Sequence, residues 1–202
     1  MPQHRIRAVV FDLDGVLRHF DAAHVAGIER RHGLAQGSIH AAAFSEPLLT
    51  SVTTGAITRS EWMLRVGALI DNPQAAAEWA AHPSEADERM LQLSDELRGA
   101  GIRTAILTNG TDTIPAELRD LEIDTRVDAV FNSADIGFAK PDVRAFQHVL
   151  DALTFEPREV FFTDDSASKL VGADALGIVT HHFTDIAVLR TALAVAGVCV
   201  SE

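Results

Sequence analysis

Short, continuous apolar runs alternate along this chain with segments in which apolar residues recur every three or four positions. The runs at residues 6–11, 102–107, 129–131, 159–163 and 177–180 are rich in Val, Ile or Phe and predict strands covered on both faces. Between the later runs, residues 94–100, 115–121, 142–153 and 168–176 carry helical spacing, the first of them stopping at Gly101. Strand and helix thus alternate as βαβ units. That order predicts an α/β fold built on a parallel, doubly wound sheet.

Residues 17–89 interrupt the alternation. No segment there has a good strand pattern, whereas helices are predicted over 21–32 (stopped by Gly33), over 38–44, from a Thr58 or Ser60 cap to Ile70, and from Asn72-Pro73 to Ala81. This predicts a small helical domain inserted after the first strand. Trp62 and Trp79 fall within its helices and are expected to pack inside a small bundle rather than to stack on a substrate.

Composition narrows the partners. A chain of 202 residues with 47% hydrophobic content buries a real core, and the length suits one domain plus an insert. Seventeen basic against 29 acidic residues give a net charge of -12, with no basic cluster beyond Arg30-Arg31. That balance argues against a nucleic-acid or anionic-membrane surface and favours small-molecule or protein partners. The single cysteine, Cys199, makes no internal disulfide, and the apolar run near the N-terminus is broken by Asp12 and Asp14. Neither a signal peptide nor a membrane span is therefore expected, and the expected location is cytoplasmic. No long heptad is present, so the sequence leaves monomer and homodimer open.

The unusual polar residues fall where predicted strands end. Asp12 and Asp14 follow the first strand, Thr108 and Asn109 the second, Lys140 lies after the third, and Asp164 and Asp165 follow the fourth. Ligands of open α/β sheets bind outside the carboxyl ends of the strands, so these residues are expected to be neighbours. Four carboxylates in one crevice repel one another unless a cation sits among them, and hard oxygen ligands suit Mg²⁺. A metal beside a lysine, a hydroxyl and backbone N–H groups makes a site for a phosphoryl group. One aspartate could attack phosphorus while a second, two residues on, protonates the leaving oxygen. Single acids after strands are often mere turn formers or helix caps, as Asp142 is expected to be, but that account does not explain such convergence.

DLDGV at 12–16, LTNG at 107–110, AKPD at 139–142 and TDDS at 163–166 resemble, in order and placement, the four motifs of the haloacid dehalogenase-like (HAD) hydrolases. The resemblance spans residues 7–183 and is to the subfamily with an α-helical cap between motifs one and two and a paired acid in motif four. It implies a Rossmann-like hydrolase core at 1–16 and 90–202 and a cap at 17–89. It implies Asp12 as nucleophile, Asp14 as general acid and then base, and Thr108 with the Asn109 backbone N–H as phosphate contacts. Lys140 would offset charge between the nucleophile and the phosphoryl group. Mg²⁺ would be held by the Asp12 carboxylate, the Asp14 backbone carbonyl and the pair Asp164 and Asp165, with Asp165 favoured as direct ligand and Asp164 binding directly or through water.

Lys169 departs from the pattern, because many relatives carry Asn or Asp there; it is expected either to open a helix and point to solvent, the simpler reading, or to serve as an added contact to phosphate or to a carboxylate of the substrate. Arg18, His19 and Phe20 leave the catalytic loop and either touch substrate or face solvent. His181 and His182 adjoin on one strand and point to opposite faces, a poor metal pair. The reading that results is a Mg²⁺-dependent phosphatase acting on a small phosphorylated metabolite through an aspartyl-phosphate. A phosphomutase on a sugar phosphate shares that intermediate. A 2-haloacid dehalogenase is disfavoured, since a halide needs no proton and the resemblance implies that dehalogenases lack Asp14 and the paired acids. A regulatory protein on the same scaffold is disfavoured by intact acids at every motif.

Overall fold

The computed structural model describes residues 5–199; the outer ends of the expected core range, 1–4 and 200–202, lie outside the described residues. In chain order the elements are β1 (Ala8–Phe11), β2 (Arg18–Phe20), α1 (Ala22–Arg31), α2 (Ser38–Ala43), α3 (Leu48–Thr53), α4 (Arg59–Leu69), α5 (Pro73–Ala80) and β3 (Ser84–Ala86). There follow α6 (Glu88–Gly99), β4 (Arg103–Thr108), α7 (Ile114–Asp120), β5 (Ala129–Asn132), α8 (Ser133–Ile136), α9 (Val143–Leu153), β6 (Val160–Asp164), α10 (Ala167–Leu176), β7 (Val179–His182) and α11 (Ile186–Val195).

Five strands form a parallel sheet in the order β5-β4-β1-β6-β7, as the strand and helix alternation predicts. Alternate residues of the central strands feed two separate cores. Val9, Phe11, Ile106 and Phe161 pack with Leu93 and Leu97 of α6 and Leu189 and Leu193 of α11 on one face. Ala8, Val10, Leu107 and Phe162 pack with Phe146, Val149 and Leu150 of α9 on the other. Burial on both faces is why these strands read as unbroken apolar runs. The side chain of Asp142 caps α9 by accepting from Arg144 N.

The insert contains strands that the sequence pattern did not show. β2 and β3 pair antiparallel, Arg18 with Ala86 and Phe20 with Ser84, and so tie the two ends of the insert together. Three-residue strands are too short for a period of two to register, and their partners lie more than sixty residues apart. Between them α1–α5 bury their own clusters. Val52, Trp62 and Val66 form one, and Ile28, Ile39 and Ala75 another. A Thr58–Glu61 capping box starts α4, and Asn72 with Pro73 starts α5. Trp62 is buried, meets Trp79 edge-on at 5.3 Å, and donates from Nε1 to the Ala43 carbonyl at 3.0 Å. Among the described residues no helix is long and apolar enough to cross a membrane.

Candidate active site

Sheet register brings the acids together. Phe11 pairs with Thr163 across β1 and β6, so Asp12 and Asp164 leave neighbouring strands at the same level. Lys140 bridges them: its Nζ donates to Asp12 Oδ1 and to Asp164 Oδ2, each at 2.7 Å, and its side chain is wholly buried. Asp12 Oδ1 also accepts from Leu13 N at 2.8 Å, and Asp164 Oδ1 from Ser166 N at 2.9 Å. Asp12 Oδ2 is buried without a hydrogen-bond partner.

Asp165 completes the group. One carboxylate oxygen from each of Asp12, Asp164 and Asp165 lies within 4.8 Å of the others. Gly15, with φ near +87°, makes this approach possible, because a Cβ there would stand 2.2 Å from Asp165 Oδ2. Partial burial raises the Asp165 carboxyl above its ordinary range, and the charges of Asp12 and Asp164 add to the effect. Its backbone carbonyl accepts from His182 Nε2 at 3.0 Å, while His181 Nδ1 shares a hydrogen bond with Thr163 Oγ1. The two histidines thus serve different neighbours. Three converging carboxylates, one buried orphan oxygen and a single buried ammonium fit a hard divalent cation.

Lys169 is partly exposed, yet its ammonium stands 3.9 Å from Asp12 Oδ2, so the expectation of a purely solvent-facing residue is incomplete. Asn109 does more than its backbone suggested. Its amide donates from Nδ2 to the Lys140 carbonyl and accepts at Oδ1 from Lys140 N, fixing the loop that delivers the lysine. Thr108 is buried at the end of β4, in the same strand-end layer.

Asp14 is engaged differently from the other acids. Its Oδ1 accepts from Arg18 Nε at 2.6 Å, and Arg18 Nη1 reaches Glu117 Oε2 of α7 at 2.6 Å. Arg18 is buried at the start of β2. Burial opposes its charge, but the two carboxylates outweigh this and raise its pKa. Burial likewise acts to raise the Glu117 carboxyl, yet hydrogen bonds from Thr113 and Arg18 hold it below the usual range. The open question over Arg18 thus resolves to an internal ion pair. Glu117, 99 residues away on an ordinary-looking helix, gave no signal in the sequence.

A cavity of about 510 Å³ opens between the insert and the sheet end. Asp14, Asn109 and Gly110 stand on its core side, and Trp62, Trp79 and Phe44 on its insert side. The insert is anchored to the core beside it. Arg59 N donates to Asp112 Oδ1 at 2.7 Å, and a Cβ at Gly55 would lie 2.3 Å from the Ala134 carbonyl.

Among known proteins, this chain is 36% identical over 104 residues to the sesquiterpene phosphatase astK of Aspergillus oryzae, a match covering 49% of this chain and 51% of that one. The chain therefore spans about half the length of that relative. It is 31% identical over 188 residues to the phosphatase MT3486 of Mycobacterium tuberculosis, covering 86% and 85% of the two chains. A HAD family enzyme of Bacteroides thetaiotaomicron, solved in complex with magnesium and inorganic phosphate, superposes with a TM-score of 0.74 at 22% identity over 91% of this chain and 98% of that one. The sequence model of the haloacid dehalogenase-like hydrolases matches residues 6–177. The parallel sheet, the strand-end acids and this match agree that the chain belongs to the haloacid dehalogenase-like hydrolases.

Proposed function

We propose that this hydrolase is a Mg²⁺-dependent phosphatase that cleaves a small phosphomonoester through an aspartyl-phosphate on Asp12. The observation that carries the reading is the buried triad of Asp12, Lys140 and Asp164 with Asp165 beside it, an acid cluster short of positive charge. The phosphatases among its relatives, and the magnesium and phosphate bound by the Bacteroides enzyme, support it.

Asp12 attacks phosphorus and the P–O bond to the leaving group breaks. Asp14, held by Arg18 through Oδ1, acts through its other oxygen: protonated when substrate is bound, it gives that proton to the departing oxygen and later takes one from the water that attacks the aspartyl-phosphate, releasing inorganic phosphate and restoring Asp12. Lys140 holds Asp12 at Oδ1 and offsets its charge as the phosphoryl group approaches, while Thr108 and the Asn109 N–H hold phosphate oxygens. The Asp12 and Asp165 carboxylates, the Asp14 carbonyl and Asp164 would hold Mg²⁺. When bound, the ion neutralises charge on the transferring phosphoryl group. Residues 17–89 act as a cap that shields this step from water and selects the leaving group.

The test is Mg²⁺-dependent phosphate release from p-nitrophenyl phosphate, abolished by EDTA and by Asp12→Asn. Wild-type turnover in Asp12→Asn would remove the nucleophile from the scheme. Chloride release from 2-chloropropionate without metal would instead support a dehalogenase.

A further inference from the structure

Resting on the phosphatase reading, we infer that the group esterified to the phosphate is a long apolar chain or ring system, held in the cavity between insert and core. The wall of that cavity is mostly apolar, with Val25, Ala26, Phe44, Leu49, Trp62 and Trp79 contributing from the insert. Phe20 and Phe44 remain nearly half exposed at this wall, an arrangement that leaves aromatic surface in water unless something covers it. Asp14 and Asn109 line the cavity, so a leaving group protonated by Asp14 would lie at its edge.

Most charged groups of the wall already have partners within the protein, while Nε2 of His82 is buried without one. Arg18 pairs with Asp14 and Glu117, and Arg59 pairs with Glu117 and donates to the Ala80 carbonyl. Both Glu29 oxygens accept backbone N–H groups, from Gly37 and Ile39. A sugar or nucleotide brings many hydroxyls or further anionic groups that need partners, and burying them unpaired is unfavourable. An apolar leaving group asks for none. The volume of about 510 Å³ lies within the range of sites for mid-sized ligands and, at roughly 30 Å³ per water-sized group, takes a substituent well beyond six carbons.

A homologous series tests this without changing the chemistry. Ethyl, butyl, hexyl, octyl and decyl phosphates share nearly equal leaving-group basicity. They are assayed with Mg²⁺, below their micelle concentrations, beside glycerol phosphate, a sugar 1-phosphate and p-nitrophenyl phosphate. Full burial raises kcat/KM by roughly threefold to fourfold per methylene. With six more methylenes, fully buried octyl phosphate is accordingly expected to exceed ethyl phosphate by roughly 700-fold or more, and to exceed both polar esters. Ala26→Phe, which fills the cavity from α1, should lower the octyl-to-ethyl ratio by about tenfold; the wild-type series stands alone if that variant does not fold. Turnover of p-nitrophenyl phosphate with a flat alkyl series, or with the sugar ester preferred, overturns the apolar assignment and leaves the phosphatase reading. Turnover of no ester at all overturns both.

Discussion

Replacing Lys140 by Met isolates the electrostatics of the acid cluster. The substitution keeps the length of the side chain and removes an ammonium that has no solvent exposure and two contacts of 2.7 Å, to Asp12 and Asp164. Three carboxylates within 4.8 Å then remain with no buried counter-charge. Breaking a buried pair by removing one partner costs about 3–5 kcal/mol. In a domain of this size that is a fall in Tm of roughly 6–20 °C. Urea unfolding in EDTA at pH 7.5 measures the loss. The deficit should shrink on two titrations. Lowering the pH protonates carboxylates whose folded pKa lies above the unfolded one, the direction already seen for Asp165, and such groups favour folding increasingly as pH falls through the folded value. Adding Mg²⁺ supplies the missing charge, and each tenfold excess over its dissociation constant adds about 1.4 kcal/mol. A variant within about 1 kcal/mol of wild type in EDTA at pH 7.5 would refute the reasoning.

Lys169→Asn removes an ammonium 3.9 Å from Asp12 Oδ2, and since a nearby cation opposes a divalent ion by roughly 1 kcal/mol even at high dielectric, Mg²⁺ affinity by calorimetry should rise at least fivefold; unchanged or weaker binding would remove Lys169 from the metal's surroundings. Gly15→Ala forces a Cβ to within 2.2 Å of Asp165 and a positive φ on an L-residue, so it should destabilise by about 1–2 kcal/mol and weaken Mg²⁺ binding as well, whereas a loss of stability alone would show that Asp165 can relax. Arg18→Met leaves Glu117 half-buried with only Arg59, at 3.8 Å, and the Thr113 hydroxyl to hold its charge. Because the folded Glu117 pKa is lowered in the wild type, its contribution is present above the unfolded value and is lost as pH falls through the folded one; the variant should show a smaller acid-side dependence in urea titrations between pH 7 and 3. An unaltered pH profile of stability would contradict the ion pair.

Strand-end chemistry was legible because a parallel sheet buried on both faces leaves two plain signals, an unbroken apolar run and an abrupt polar residue where it ends. Phe11 to Asp12 and Phe162 to Asp164 are such transitions, and parallel register then forces their proximity. The β2–β3 ribbon left no such trace, being three residues long on each side. The approach of Lys169 to Asp12 was not legible, because helical position alone says where a residue sits on a helix, not what the neighbouring strand presents to it. Asn109 was expected to act through its backbone; that its side chain holds the Lys140 loop depends on two loops meeting from strands in different parts of the chain.

By itself the sequence determined the α/β alternation, the helical insert, and which acids, lysine and hydroxyl gather at the sheet's carboxyl edge, since all of these follow from local periodicity and from the fixed geometry of parallel strands. Tertiary structure alone decided the rest. The pairing of Asp14 with Arg18 and Glu117, the reach of Lys169 to Asp12, and the apolar cavity between Trp62 and Asn109 each arise where segments far apart in sequence pack together. Such contacts depend on the volumes and charges of both partners at once, a quantity no single stretch of chain encodes.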